Sequence, residues 1–313
     1  MFEKILSLIE QYDTVILHRH SKPDGDALGS QIGLKHLIED NFAGKRVLTV
    51  GDAAGRYAFM KGSTPDTVSD ADYNGALAII LDTAARALIS DDRYKLAAAT
   101  ARLDHHIFCE KIATVEVVDT SFESCCGLVT ALATEAGWRI SPEAATALYT
   151  GLVTDSGRFR YDSTTPDTLR RAARLLESGI ETSGIYRNLY ADDFSYIRLR
   201  ASFVLKVAFT AHNVAYIYTT AKEAEASGVD TFTISLGMVG VMGEIRGVDI
   251  WVNFTETAQG VLCEIRSSRY NINPVAVKYG GGGHEKASGA TLANREQAMS
   301  LLADLDHMAE VNQ

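Results

Sequence analysis

The chain has 313 residues, 46% of them hydrophobic, which is enough for two ordinary domains with separate buried cores and excludes a small disulfide-stapled scaffold. Its four cysteines, Cys109, Cys125, Cys126 and Cys263, make no C-x-x-C pair or other zinc-gripping or redox spacing, so a reducing compartment is expected. A formal charge of −10 excludes a large sequence-independent grip on long nucleic acid, which needs a basic footprint. A small anionic substrate stays compatible with that charge, because bound divalent ions reverse the sign of a site locally.

MFEKILSLIEQY at the start puts Phe2, Ile5, Leu6 and Ile9 on one helical stripe with acids among them, unlike the unbroken apolar core of a secretory signal. No apolar run approaches the roughly 20 residues of a bilayer span. The expectation is a cytoplasmic protein with no membrane partner. TVILHRH (14–20) reads as a strand and ALGSQIGLKHLIED (27–40) as an amphipathic helix. RVLTV (46–50), LAIILD (77–82), the stretch ending at RLDHH and VEVVD (115–119) read as further strands with helices between them. This alternation predicts an α/β fold, a mostly parallel sheet with helices on both faces and ligands at the carboxyl ends of its strands.

After about residue 180 the pattern changes. DFSYIRLRASFVLK (193–206) reads as a connecting helix, and VAYIYTT, VDIWVNFTE and GVLCEIRSS as strands of a smaller α/β unit closed by the helix ANREQAMSLLADLDHMAEV. The expected layout is a first domain over 1–190, a connecting helix over 191–206 and a second domain over 207–313, with the active site in the cleft between domains. The adjacent Cys125 and Cys126 read as small apolar packing on a helix.

Four clusters of polar residues interrupt the apolar runs. HSKPDGD (20–26) brings His20, Asp24 and Asp26 onto a turn shaped by Pro23 and Gly25. Acids at a helix start also serve as caps, so this cluster gains meaning only in company. Asp82 ends LAIILD, where a lone acid is ordinarily a solvated strand end. Asp104, His105 and His106 follow an apolar strand, and because neighbouring side chains there point opposite ways, one imidazole can face a metal and the other a substrate. Asp155 lies in a small-residue loop after the helical PEAATALYT, with Arg158 and Arg160 nearby. Imidazoles and carboxylates without thiolates suit Mn²⁺ first, with Mg²⁺, Co²⁺ or Zn²⁺ behind. Six ligands exceed the needs of one catalytic zinc with an open position. Two divalent ions sharing a carboxylate, ~3.5–4 Å apart, would use them all. Further along, Gly280 to Gly283 precede His284. Such a run is either a flexible turn or a backbone surface an anion can approach closely. Arg266, whose planar fork matches phosphate, stands with Ser267 at a strand end in the same domain.

The ordered set HRHSKPDGDALGS, LAIILDTA, LDHH and LVTDSGRF resembles the four motifs of the DHH phosphoesterase superfamily. CEIRSSRYNINPVAVKYGGGGHEKASGA resembles the DHHA1 domain of its nanoRNase and pAp-phosphatase branch, so the resemblance runs from about residue 10 to 300. It implies one ion on His20, Asp24 and Asp82 and another on Asp26, Asp82, His105 and Asp155, with Asp82 as the bridge. It makes Asp104 an outer acid orienting a histidine ligand, and has His106 contact the scissile phosphate or assist the leaving oxygen. Arg266 with Ser267, Gly281, Gly282, Gly283 and His284 would bind the substrate's other phosphate or terminal nucleotide. The implied activity is Mn-dependent two-metal hydrolysis of short oligoribonucleotides or 3′-phosphoadenosine 5′-phosphate (pAp). The alternative is a linear or cyclic dinucleotide phosphodiesterase. No long duplex partner is implied, and a homodimer is left open. A processive single-strand exonuclease is disfavoured by length and acidity, a pyrophosphatase by the GGGGH run, and a regulator without catalysis by the complete ligand set. Ile107 and Phe108 replace the proline that often follows the double histidine in this branch. Phe159 and Tyr161 are read as core residues ahead of base-stacking ones.

Overall fold

The structure is a computed structural model that describes residues 1–312. It divides into two compact units, Met1–Ala191 and Asp192–Gln313. The first is built on five parallel strands, β1 (Thr14–His18), β2 (Arg46–Thr49), β3 (Leu77–Leu81), β4 (Ala99–Asp104) and β5 (Val115–Val118), in the order β2-β1-β3-β4-β5. The chain runs from β1 outward to β2 and then crosses back to β3, so the topological switch lies between β1 and β3, where ligands bind in open α/β sheets.

Six helices accompany the sheet: α1 (Glu3–Gln11), α2 (Gly25–Asn41), α3 (Cys125–Glu135), α4 (Pro142–Asp155), α5 (Pro166–Leu176) and α6 (Thr182–Tyr190). Alternate strand residues face opposite sides. Val15, Leu17, Ile79, Leu81 and Leu103 join the main core with Ile5, Leu34, Leu128 and Leu148 from these helices. Ile16, Ala78 and Ile80 face the other way, against Tyr73, Tyr94, Ile89 and Ile112. Right-handed crossovers account for the division, since β1–β2 and β2–β3 run in opposite directions along the sheet and place their connections on opposite faces. The cover of the second face is short 3₁₀ helices (Asp70–Tyr73, Arg86–Leu88, Asp92–Leu96) in place of longer α-helices. The segment GDAAGRYAFMKGSTPDTVSDADYNG is rich in Gly, Pro, Asp and Ser and has no apolar 3.6-residue period to sustain one.

α2, α3 and α4 meet in a seam of small residues. A Cβ on Gly29 would lie 2.6 Å from the Ala147 carbonyl oxygen and 2.8 Å from Cys126 Sγ, and one on Gly151 would lie 2.3 Å from the same sulfur. Cys125 and Cys126 are buried free thiols of this seam, each directed at a backbone carbonyl, of Leu103 and Asp26 respectively.

The second unit opens with α7 (Phe194–Val204), β6 (Ala208–Phe209), β7 (Ala215–Thr219) and α8 (Ala221–Ser227). It continues with β8 (Ile250–Thr257), β9 (Gly260–Ser267), α9 (Asn273–Lys278), β10 (Gly282–His284), β11 (Ala287–Leu292) and α10 (Arg295–Val311). The strands form one sheet in the order β10-β11-β9-β8-β7-β6. Val252, Phe254, Cys263 and Ile265 pack under α9 and α10, and on the other face Ala215, Ile217 and Trp251 pack with Phe203, Met238 and Met242. No helix among the described residues is long and apolar enough to cross a membrane.

Candidate active site

β1, β3 and β4 end side by side, and the residues just beyond them converge. His20 follows β1, and Asp24 caps α2 by accepting hydrogen bonds from the N–H groups of Asp26 and Ala27 at 2.9 and 3.0 Å. The capping reading of Asp24 therefore holds alongside any other role. Asp26 is fully buried, and its two oxygens accept the N–H groups of Cys125 and Cys126 at 2.7 and 2.8 Å, at the positive end of α3. Asp82 follows β3 in the left-handed conformation, φ 48°, uncommon for a non-glycine residue although Asp tolerates it better than most. Asp155 is the last residue of α4, not part of a loop as expected from sequence, because the helix begun at Pro142 continues through the small residues Thr150, Gly151 and Thr154.

The distances sort the contacts. His20 Nε2 lies 3.8 Å from Asp24 and 3.5 Å from Asp82. His105 Nε2 lies 3.7 Å from Asp26, 3.5 Å from Asp82 and 3.4 Å from Asp155. These are too long for good hydrogen bonds, yet they suit two donors each about 2.1 Å from a common ion. Asp82 presents Oδ2 to His20 and Oδ1 to His105, and its buried Oδ1 has no hydrogen-bond partner. His20, Asp24 and Asp82 form one group that could hold a metal ion, and Asp26, His105 and Asp155 another, with ligand atoms within 4.8 Å of one another in each. Both histidines direct Nδ1 to a carbonyl, of Ser21 at 2.8 Å and Phe122 at 3.4 Å, which turns Nε2 toward the carboxylates as in metal-ligating histidines.

His106 differs. Its Nδ1 makes a true hydrogen bond to Asp104 Oδ1 at 2.7 Å, although Asp82 Oδ1 is also within 3.6 Å. Asp104 is completely buried, and Arg102 Nη2 donates to its other oxygen. Arg102, also fully buried, further donates to the carbonyls of Glu110 and Ala84 at 3.0 and 3.1 Å. Sequence reasoning missed this arginine, though a base inside the apolar strand ATARLD was the available signal. It also missed Arg19, whose buried guanidinium ties Gln31 Oε1 at 2.8 Å to the Asp52 carbonyl at 2.6 Å and braces the end of β1.

Electrostatics follow from four carboxylates in one place. Burial, then Asp82 and Asp155, push Asp26 well above the usual carboxylate range. Burial and the charges of Asp82 and Asp24 push Asp155 up to about 6 against the pull of His105. Burial works against ionised Asp82, but the neighbouring imidazoles of His105 and His20 outweigh it and hold its carboxyl well below the ordinary value. Burial likewise works to lower His20 and His105, and their carboxylate partners override it and raise both to about 10. Two divalent cations would balance the four carboxylates and occupy the places that protons take on these imidazoles.

The family model of the DHH family N-terminal domain matches residues 14–152, and that of the DHHA1 domain matches residues 213–310. The chain is 33% identical to the bifunctional oligoribonuclease and PAP phosphatase NrnA of Bacillus subtilis, over 99% of both chains. It belongs to the DHH family. A probable bifunctional oligoribonuclease and PAP phosphatase NrnA from Streptococcus mutans is 35% identical over 97% of this chain and 98% of that one. The crystal structure of an exopolyphosphatase-related protein from Bacteroides fragilis superposes with a TM-score of 0.84 at 26% identity, over 98% of this chain and 95% of that one.

In the DHHA1 part, register pairs Trp251 with Arg266, Arg266 with Ala287 and Ala287 with His284 across β8, β9, β11 and β10. Directly paired residues share a face, so Arg266 and His284 stand on one side of the sheet, about 10 Å apart across the small Ala287. Arg266 Nη1 meets Glu264 at 3.2 Å. The glycine run is not a free turn, since Gly282 and Gly283 with His284 form β10. A Cβ on Gly281 would lie 2.1 Å from the Gly289 carbonyl oxygen, whereas at Gly282 it would meet nothing. Ser267 is committed elsewhere: its hydroxyl donates to the Asp249 carbonyl and accepts from the N–H groups of Arg269 and Tyr270, which exhausts its hydrogen-bonding capacity.

Proposed function

We propose that the chain hydrolyses short oligoribonucleotides and pAp, using two divalent ions, Mn²⁺ foremost. The single observation carrying the reading is the 3.4–3.8 Å spacing of His20 and His105 from the carboxylates around Asp82. One ion would rest on His20, Asp24 and Asp82, the other on Asp26, Asp82, His105 and Asp155. When bound, such a pair supplies Lewis acidity and lowers the pKa of water toward neutrality. Imidazole and carboxylate donors, with both nearby thiols turned to backbone carbonyls, favour Mn²⁺ over softer ions.

The rest of the work falls to the chain. Asp104 accepts from Nδ1 of His106 and raises its pKa, which favours the imidazolium whose Nε2–H can serve a phosphate or leaving oxygen. Arg266, His284 and the N–H groups around Gly282 bind the phosphate that is not cleaved. The names of the Bacillus and Streptococcus relatives support the substrate class. A cyclic-di-AMP phosphodiesterase, GdpP of Geobacillus thermodenitrificans, is 25% identical and matched over 46% of its length, so the dinucleotide reading has less support.

The test is a hydrolysis panel of pAp, pApA, cyclic di-AMP, short RNA and long single-stranded DNA, with Mn²⁺ and with chelator. Turnover of pAp and short RNA that is lost on chelation and restored by Mn²⁺ is expected. Undiminished hydrolysis after metal removal would end the two-ion account.

A further inference from the structure

Just past Asp155 the backbone turns left-handed at Gly157, Arg158 and Phe159, with φ of 56°, 64° and 62°. Glycine adopts this conformation freely, but Arg158 and Phe159 are strained in it, and such strain is retained where it places a side chain. Phe159 goes inward, packed on the main core beside Tyr149. Arg158 goes outward, where its guanidinium lies 4.7 Å over the ring of Tyr190 at the end of α6 and makes no side-chain hydrogen bond.

A second arginine reaches the same helix end. Arg56 Nη2 donates to the Leu189 carbonyl at 3.0 Å, and its guanidinium lies 5.4 Å over the ring of Tyr57. Neither guanidinium is paired with a carboxylate among the described residues. Tyr190 itself stacks near Tyr186, with ring centroids 6.1 Å apart and planes 30° apart. The cluster adjoins the metal-ligand set: burial raises the Tyr57 phenol, and Asp24 and Asp155 push it the same way. Tyr190 is raised by burial and opposed by both Arg158 and Arg56. A helix-capping role explains one hydrogen bond of Arg56. It does not explain Arg158, whose guanidinium makes no hydrogen bond to a carbonyl.

We propose that Arg56, Arg158 and Tyr190, with Tyr57 beside the metal ligands, form a second nucleotide subsite on the DHH unit. It grips the phosphate and base of the nucleotide next to the scissile bond. Guanidinium forks match phosphate oxygens, and an aromatic face accepts any base. The subsite rests on the phosphoesterase reading above, and gives that reading a preference for substrates of at least two nucleotide units.

The test compares a trinucleotide with bis(p-nitrophenyl) phosphate, a diester without bases or a second phosphate, on Mn²⁺-loaded wild type, Arg158→Gly and Arg56→Gln. Glycine takes the left-handed backbone without strain, so Arg158→Gly removes the guanidinium and keeps the turn. KM for the trinucleotide should rise about tenfold in each variant, and the kcat/KM preference for it over the diester should fall by a similar factor. The subsite is refuted if the trinucleotide KM stays within about twofold of wild type. It is equally refuted if kcat/KM falls in step on both substrates, since the cluster would then act only by supporting Asp155. Wild type that hydrolyses neither substrate would sink the phosphoesterase reading and the subsite together.

Discussion

Arg102 and Asp104, alternate residues of β4 and both fully buried, are joined through Nη2 and Oδ2, and the free oxygen of Asp104 holds His106. Removing the guanidinium leaves one oxygen of a buried carboxylate unpaired. Arg102→Met should therefore cost about 3–5 kcal/mol in urea unfolding. In whatever protein folds, kcat should fall more than KM changes, because Asp104, the anchor of His106, loses the partner that fixes it. Stability equal to wild type would contradict this account of the pair.

Asp82 stands between His20 and His105 with an unpartnered buried oxygen. Asp82→Asn should weaken both ions together and lower kcat/KM by more than about 100-fold, the upper end of what loss of an outer partner costs. Metal analysis after gel filtration checks it. Two retained equivalents of Mn²⁺ would rule out a bridging role.

Gly29 leaves no room for a methyl group beside the Ala147 carbonyl. Gly29→Ala should force α2 from α4 and destabilise the fold by roughly 1–3 kcal/mol. Because α2 carries Asp26 and α4 carries Asp155, the rise in Tm on adding Mn²⁺ should also shrink. A variant that melts lower but gains as much from Mn²⁺ as wild type would separate the seam from the site.

Gly281 and Gly282 make opposite predictions. A Cβ at Gly281 collides with the Gly289 carbonyl, so Gly281→Ala should destabilise the protein. Gly282 faces open space, so Gly282→Ala should leave Tm within about 2 °C while raising KM for pAp, if a phosphate approaches the backbone there. An unchanged KM would remove Gly282 from the substrate's path.

His18 is buried in β1, with Nδ1 donating to the Asp91 carbonyl at 3.1 Å and Nε2 accepting from the Tyr73 hydroxyl at 3.2 Å. Burial, only partly opposed by Asp91, lowers its pKa from 6.5 to about 4. Between those values the unfolded chain binds more protons than the folded one, so stability rises with pH. The contribution is complete above pH 6.5 and is lost as pH falls toward 4, on the order of 3 kcal/mol over the whole shift. His18→Asn keeps a donor for Asp91 and does not titrate. Denaturant unfolding of the metal-free protein should show a flatter pH dependence in the variant, and identical slopes would refute the assignment.

The sequence by itself determined the parallel α/β architecture and the points where polar residues interrupt it. Strand periodicity and turn residues are local signals, and the carboxyl ends of parallel strands lie on one edge whatever their spacing in the chain. That is why His20, Asp82 and His105 could be read together although they come from three separate segments. Tertiary structure alone decided the rest. Asp155 ends α4, Arg102 is buried under Asp104, and Ser267 is drawn into a turn with Asp249. The glycines of α2 and α4 mark a contact seam, and part of the GGGGH run pairs as a strand with β11. Each of these depends on which distant segment comes within van der Waals or hydrogen-bond reach. Contacts of that kind leave no periodicity in the chain and exist only once helices and sheet have packed.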